Sequence, residues 1–565
     1  MRSRRPLNRR IFAVVLAGAL VTAAPVSAQR RAAESTAPTV PPATLEAQTT
    51  DLIRAHVRFL ADDLLEGRAP GTRGGDLAAR YIATQFDAMG LKPAGADASF
   101  YQWVPMVGLT PDASIVIGAQ RRTLPLEELK EFVAWPERPE SVTTVDGDIV
   151  FVGYGIDAPE WQWDDFERTP LTGKILMVQL GDPGANDSTI FRGTQLTYFG
   201  TWTYKLEQAA RMGAAGVLLI HSPKGESDPW AVVRNTWGGE RLRLDRPATG
   251  TLRFAAWITT EAARRVVQAT GKDYDLLLRR AEARDFRPID VGAHAAIDLR
   301  SRVRRLQAPN VVATLEGGAG EGRTEAVILT AHYDHYGLGA RVGGDSIYNG
   351  AIDNASGVAT LLAVAHGLSR SPAPPRRSVV FVATTAHETA MLGATAYLAA
   401  PPVPLARTAA VFDIEQANVW GVTRDVVALG ARLSTLGDAL TAAGSASGLS
   451  TSRDPDPTGR RFYQSSPFPL AQAGVPFLSI RSGVEYVDKP PGWGAEQHQR
   501  YYAERYHQPA DQVRAGFDYA GALQQARFLT RLIWQVAQDT AHASWLPGSD
   551  FRAAGVRLRA QRENR

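Results

Sequence analysis

Cysteine is missing from all 565 residues. The chain therefore forms no disulfide, and any metal site in it must be built from histidine and carboxylates rather than thiolates. With no cysteine after the N-terminal apolar stretch, a lipoprotein anchor is excluded as well. Long apolar runs are equally scarce. Ile11–Val21 is about half of what a bilayer crossing needs, so no stable membrane anchor is expected. Charge imbalance is also slight, with 62 Lys and Arg against 58 Asp and Glu. Five of those arginines (Arg2, Arg4, Arg5, Arg9 and Arg10) precede the apolar stretch, and beyond residue 28 the count is 57 basic against 58 acidic. The high overall pI of about 9.2 is thus largely a property of the N-terminus, and nucleic acid is not an expected partner. No internal repeat is present, and the composition is neither that of a disordered nor of a fibrous chain.

What is present is a soluble globular composition, 44% hydrophobic and 21% charged, on a chain long enough for two or three domains. Residues 1–28 read as a signal peptide: arginines, a short apolar run, and the small-residue site Val26-Ser27-Ala28. An exported protein, periplasmic or secreted, is expected, and the pair Arg9-Arg10 leaves Sec and twin-arginine export both open. Residues 29–48, rich in Ala, Pro, Thr and Ser, read as a linker.

Helical periodicity begins at Thr50, with Leu52, Ile53, His56, Val57, Leu60 and Leu64 at steps of three and four. A second helix is expected from Gly75 to Met89, stopped by Gly90. Residues 140–294 carry short β-rich runs bounded by Gly and Asp, among them Asp148–Gly155 and Lys174–Leu180, and few convergent His or acids. No chemistry is expected there. After Asn310 the β-branched runs Val327–Ala331, Ser378–Thr384, Ala409–Ile414 and Val475–Ile480 alternate with helical patterns over Ala355–Leu368, Leu392–Ala399 and Leu433–Ala443. That alternation predicts an α/β fold, a sheet with helices on both faces. A last helix, Tyr519–Ala537, precedes an Arg-rich tail, 541–565, read as solvated surface.

Five short stretches carry candidate chemistry, most of them at the carboxyl ends of expected strands, where open α/β sheets place their sites. His332 closes one strand and Asp334 follows two residues later, a spacing suited to a metal ligand and its orienting carboxylate. Asp353 lies in a Gly-rich loop opening a helix, where by itself it would be an N-cap. His387 and Glu388 follow the next strand. They are adjacent, so only an irregular turn can aim both inward. Asp413 and Glu415 share one face of an apolar strand, an arrangement that is costly unless the acids are paired or bound to metal. His507 lies in the loop Arg505–Asp511 before the last helix. Together they give the order His, Asp, Glu, acid, His, a donor set that suits zinc in an open hydrolytic site.

With these motifs in this order the chain resembles the bacterial di-zinc aminopeptidases of the aminopeptidase S and aminopeptidase Y type. Phe59–Thr72 is similar to that family's opening helix and loop, and Tyr198–Lys205 through His221 to the protease-associated domain inserted in many members. The resemblance implies a zinc-exopeptidase-like mixed sheet sandwiched by helices. Residues 49–139 and 295–540 would form the peptidase domain and 140–294 the β-rich insert. It implies two zinc ions: His332 and Glu415 on one, Glu388 and His507 on the other, Asp353 bridging, and Asp334 orienting His332. It implies peptide substrates shortened from the N-terminus by metal-activated water. Oligomeric state does not follow from it.

At three places the sequence departs from the family pattern. His387 stands where the family has the Glu that takes a proton from the bridging water, Glu415 where it has Asp, and Tyr463–Pro467 where relatives carry Arg-Ser-Asp-His. A neutral imidazole accepts protons near pH 7 and also binds metal. His387 therefore leaves several outcomes open: an aminopeptidase with a histidine base, a hydrolase of another amide, or an inactive metal- or peptide-binding homologue.

Overall fold

The runs Ala326–His332, Ser378–Thr384, Thr408–Ile414 and Phe477–Ser482 form four neighbouring strands whose residues are all buried. Strands covered on both faces need no polar alternation, and the sequence shows none. In this computed structural model, which describes residues 39–563 apart from 188, 222–227, 247–249 and 457, the four are mutually parallel. Asp425–Leu429 joins one edge antiparallel, with Ser450–Ser452 beyond it. The other edge, Ser378–Thr384, pairs antiparallel with the far end of Ile289–Leu315, a strand of 27 residues.

That long strand continues into a second half of the same sheet. It runs antiparallel to Tyr101–Ala119 and to Val142–Phe151. Beyond Val142–Phe151 follow Ile175–Gln179, Gly216–Ile220 and Phe254–Ile258, all parallel, and then Phe132–Pro136 antiparallel. The architecture is thus one mixed sheet layered between helices.

One core lies between the first half of the sheet and the helices Thr50–Leu60, Arg73–Ala88, Gly357–Ser369 and Ala520–Gln538. Gly357–Ser369 is apolar all round because it is enclosed all round, with only His366 and Ser369 outside the buried set. Burying Leu361, Leu362 and Val364 fully contributes about 1.5–3 kcal/mol each. On the opposite face Tyr397, Phe462, Phe468, Trp545 and Phe551 pack into another core. The second half of the sheet has its own cores, one of which gathers Ile115, Ile117 and Phe132 together with residues 145–299.

Several sequence expectations shift. The expected signal peptide, 1–28, lies outside the described residues. Residues 42–48 are not free linker: Pro42–Glu46 is a helical turn, and the buried Gln48 donates from Nε2 to Thr530 Oγ1 at 2.6 Å. Leu64 falls past the end of its helix and is exposed. The Arg-rich tail is solvated only in part. Its helix, Arg552–Glu563, buries no residue, whereas Trp545 and Phe551 just before it are core residues. Their apolar area outweighs the charge around them. Among the described residues no helix is long and apolar enough to cross a membrane.

Candidate metal centre

The register of the parallel strands brings their carboxyl ends level. His332 pairs with Thr384, Thr330 with Asp413, and Asp413 with Ser479. His332, the turn after Thr384, and Glu415 therefore emerge along one edge. In that turn Ala386 takes φ +51°, a left-handed conformation that costs an alanine about 1–2 kcal/mol. The Asp334 carboxylate offsets the cost, accepting the backbone N–H of His387 at 3.0 Å and of Glu388 at 3.3 Å. Both adjacent side chains are thereby aimed inward.

Asp353 is not an N-cap. It sits in a wide irregular turn, Ala351–Ser356, after Gly350 at φ +56°. A Cβ on Gly350 would collide with the Asp353 carbonyl oxygen and lie 2.6 Å from the His335 ring, so only glycine fits. The Asp511 carboxylate accepts the N–H groups of Ile352 and Asp353 at 3.0–3.1 Å, which leaves the Asp353 carboxylate to face the histidines. Beneath the loop, the buried Arg68 guanidinium donates to the carbonyls of Tyr333, Leu60, Asn349 and Gly350.

The Asp353 carboxylate faces two ways. Oδ1 is 3.2 Å from His332 Nε2, and Oδ2 is 3.4 Å from His507 Nε2. His507 Nε2 is also 3.3 Å from Glu388 Oε2. Donor atoms at about 2.0–2.1 Å from a tetrahedral zinc ion stand about 3.3 Å apart, so these are the edges such ions would have. His332 Nε2 and His507 Nε2 are buried without a hydrogen-bond partner, as expected of atoms reserved for a cation. His332, His387 and Glu415 form a second convergent group beside His332, Asp353 and Glu388. The residues present fit zinc.

Electrostatics point the same way. Burial opposes charge on His332, yet Asp353, with Glu388 and Asp334 behind it, pushes it up to about 10. Burial likewise opposes charge on His507, and Glu388 and Asp353 push it up to about 9. The pocket is short of positive charge. His387 goes the other way, held down at about 4 by burial and then by His332. It is neutral, stacked on the His332 ring at 4.0 Å between centroids.

The sequence-derived residues His332, Asp334, Asp353, His387, Glu388, Glu415 and His507 all converge here. Asp334 acts differently from expectation: its backbone carbonyl, 3.2 Å away, meets His332 Nδ1, while its carboxylate, 3.8 Å away, serves the 387–388 backbone. Asp413 stays out of the site, bonded to Thr330 and Ser479 hydroxyls. Glu415 turns one oxygen to Arg481 at 2.6 Å and the other to the Ser466 N–H at 2.9 Å.

Three contributors were not foreseen. His335 Nδ1 holds Glu388 Oε1 at 2.7 Å; its place three residues after His332 was the available signal. Tyr336 and Thr236 hydroxyls meet His507 Nδ1 at 3.1 and 3.2 Å. Thr236 comes from the helix Trp230–Trp237, inside the segment expected to hold no chemistry, and corrects that expectation. No local pattern marks it. A cavity of about 120 Å³ beside the centre is lined by Trp202, Val233 and Trp237 from that segment and by His387, Glu388 and His507.

A buried set of imidazoles and carboxylates converging at strand ends defines a metallohydrolase type of site. Residues 310–532, which contain all five expected ligands, match the model of Peptidase family M28. The fold is similar to that of an aminopeptidase from Aneurinibacillus sp. strain AM-1, at 18% identity and TM-score 0.52 over 88% of this chain and 97% of that one. Two further similar structures are BSAP, a zinc aminopeptidase from Bacillus subtilis (16% identity, TM-score 0.44, 86% and 94% covered), and a Peptidase M28 precursor from Shewanella amazonensis SB2B (18%, 0.45, 89% and 97%). Comparison with curated protein sequences gives no match.

Proposed function

We propose that the chain is a zinc-dependent aminopeptidase that removes N-terminal residues from peptides. The observation that carries this reading is the two-way Asp353 carboxylate, with His332 at one oxygen and His507 at the other. His332 and Glu415 would hold one ion, Glu388 and His507 a second, and Asp353 both. Zinc so held supplies Lewis acidity and a water nucleophile at neutral pH. His387, neutral beside the centre, accepts a proton at Nε2 and returns it to the departing amine. The carboxylate-rich ligand set favours the free α-amine of a peptide. The cavity of about 120 Å³ takes its first side chain.

We read residues 140–294 as a protease-associated domain that walls this cavity through Trp202, Val233 and Trp237. Residues 1–28 would direct export to the periplasm or the medium. Zinc content by elemental analysis, measured beside release of p-nitroaniline from aminoacyl anilides, tests the reading. Two zinc ions per chain and turnover are expected. A protein that binds no zinc sinks it, and so does a zinc-loaded protein that turns over only after His387→Glu.

A further inference from the structure

His387, Ser466 and Glu415 are joined in one hydrogen-bonded chain beside the centre. Ser466 Oγ lies 3.1 Å from His387 Nδ1 and 3.3 Å from Glu415 Oε1. The Ser466 backbone N–H donates to the same Glu415 oxygen at 2.9 Å, and the other oxygen accepts from Arg481 Nη2 at 2.6 Å. Ser466, Glu415 and Arg481 are all buried.

Donor and acceptor roles along this chain follow from chemistry. A carboxylate paired to arginine only accepts, so for Ser466 to keep both contacts its single hydroxyl proton goes to Glu415. The hydroxyl oxygen must then accept, and the partner left to donate is His387 Nδ1. With its proton on Nδ1, a neutral imidazole carries its lone pair on Nε2. That atom faces the centre, 3.8 Å from Glu415 Oε1, which has no proton to offer it.

We infer that Ser466 is a positioning residue: anchored by Glu415 and Arg481, its hydroxyl fixes His387 in the Nδ1–H tautomer and presents the Nε2 lone pair to the metal centre. The inference rests on the proposed aminopeptidase reading. It also makes His387, Glu415 and Ser466 a single coupled arrangement. Restoring one member alone, as in His387→Glu, would place a second carboxylate near Glu415 with only the Ser466 hydroxyl between them.

The test is nitrogen NMR of the zinc-loaded, full-length protein labelled with 15N-histidine, with His387→Gln identifying the His387 signals. Protonated Nδ1 and unprotonated Nε2 are expected for the wild type. Ser466→Ala should shift the proton toward Nε2, and Ser466→Thr, which keeps the hydroxyl, should restore the wild-type pattern. In turnover, Ser466→Ala should lose about 10-fold or more in kcat with KM and zinc content unchanged, as expected when a general base is misaligned. A wild-type proton on Nε2, or an Ala variant with unaltered signals, overturns the inference. Should the wild type cleave no aminoacyl anilide, the functional reading fails, and the tautomer measurement still decides this one.

Discussion

Thr236 Oγ1 lies 3.2 Å from Nδ1 of His507, although the two residues are 271 positions apart in sequence. The hydroxyl orients the ring from behind, so that Nε2 points at Asp353 and Glu388. Tyr336 shares the task at 3.1 Å. Thr236→Val should therefore weaken zinc retention modestly, and Thr236→Val with Tyr336→Phe by about 10–100-fold. Competition with a chromogenic chelator measures it, and an unchanged double variant would remove both residues from the centre.

His335 holds Glu388 as those hydroxyls hold His507, through a 2.7 Å contact. His335→Ala frees the Glu388 carboxylate to rotate, and zinc affinity should fall about 10–100-fold. Zinc titration of the chelator-stripped variant reads this directly.

Stripping zinc should lower stability as well as activity. The expected ligands come from widely separated strands and loops, and without metal Asp353, Glu388 and Glu415 would lie close together with less positive charge among them. Zinc at about 100 times its dissociation constant should add about 2.7 kcal/mol per ion. Calorimetry should show a lower Tm after dialysis against a chelator, with recovery on adding zinc.

Arg68 supports the centre without touching it. Its guanidinium satisfies four buried carbonyl oxygens, and each one left unpaired costs about 1–3 kcal/mol. Arg68→Met should destabilise the protein by at least that much, read as a lower denaturant midpoint. A loss below about 1 kcal/mol would mean that water replaces the guanidinium at little cost.

Glu325 offers a test by pH away from the metal. Burial raises its pKa, but bonds from His542 and Arg377 outweigh burial and hold it at about 2. A carboxyl depressed in the folded state contributes stability above its unfolded pKa, about 4.5 here. That contribution is lost as pH falls through about 2. Glu325→Gln should lower stability at neutral pH, and the gap to wild type should close between about pH 4.5 and 2. A gap independent of pH would show that charge on Glu325 is immaterial.

The parallel strands were legible because strands buried on both faces leave continuous apolar runs, as in Val327–Ala331 and Ser378–Thr384. The residues that converge at the centre were legible because His332, Asp353, Glu388 and His507 stand directly after such runs or in short Gly- and Pro-marked loops. Thr236, Tyr336 and Arg481 were not, since a hydroxyl or guanidinium acquires its role only through a tertiary contact. Leu64 and Trp545 misled for a related reason. A periodic leucine just past a helix end gains nothing from the period, and a tryptophan in a charged tail still buries.

The strand Ile289–Leu315 runs without interruption through both halves of the sheet. A continuous ladder of this length behaves as a beam rather than a hinge. Neither half can swing away without breaking its hydrogen bonds, so the wall around Trp237 and the ligands around His507 keep a fixed spacing. On the proposed reading the cavity would thus keep one width, admitting a thin chain end and turning away a folded surface.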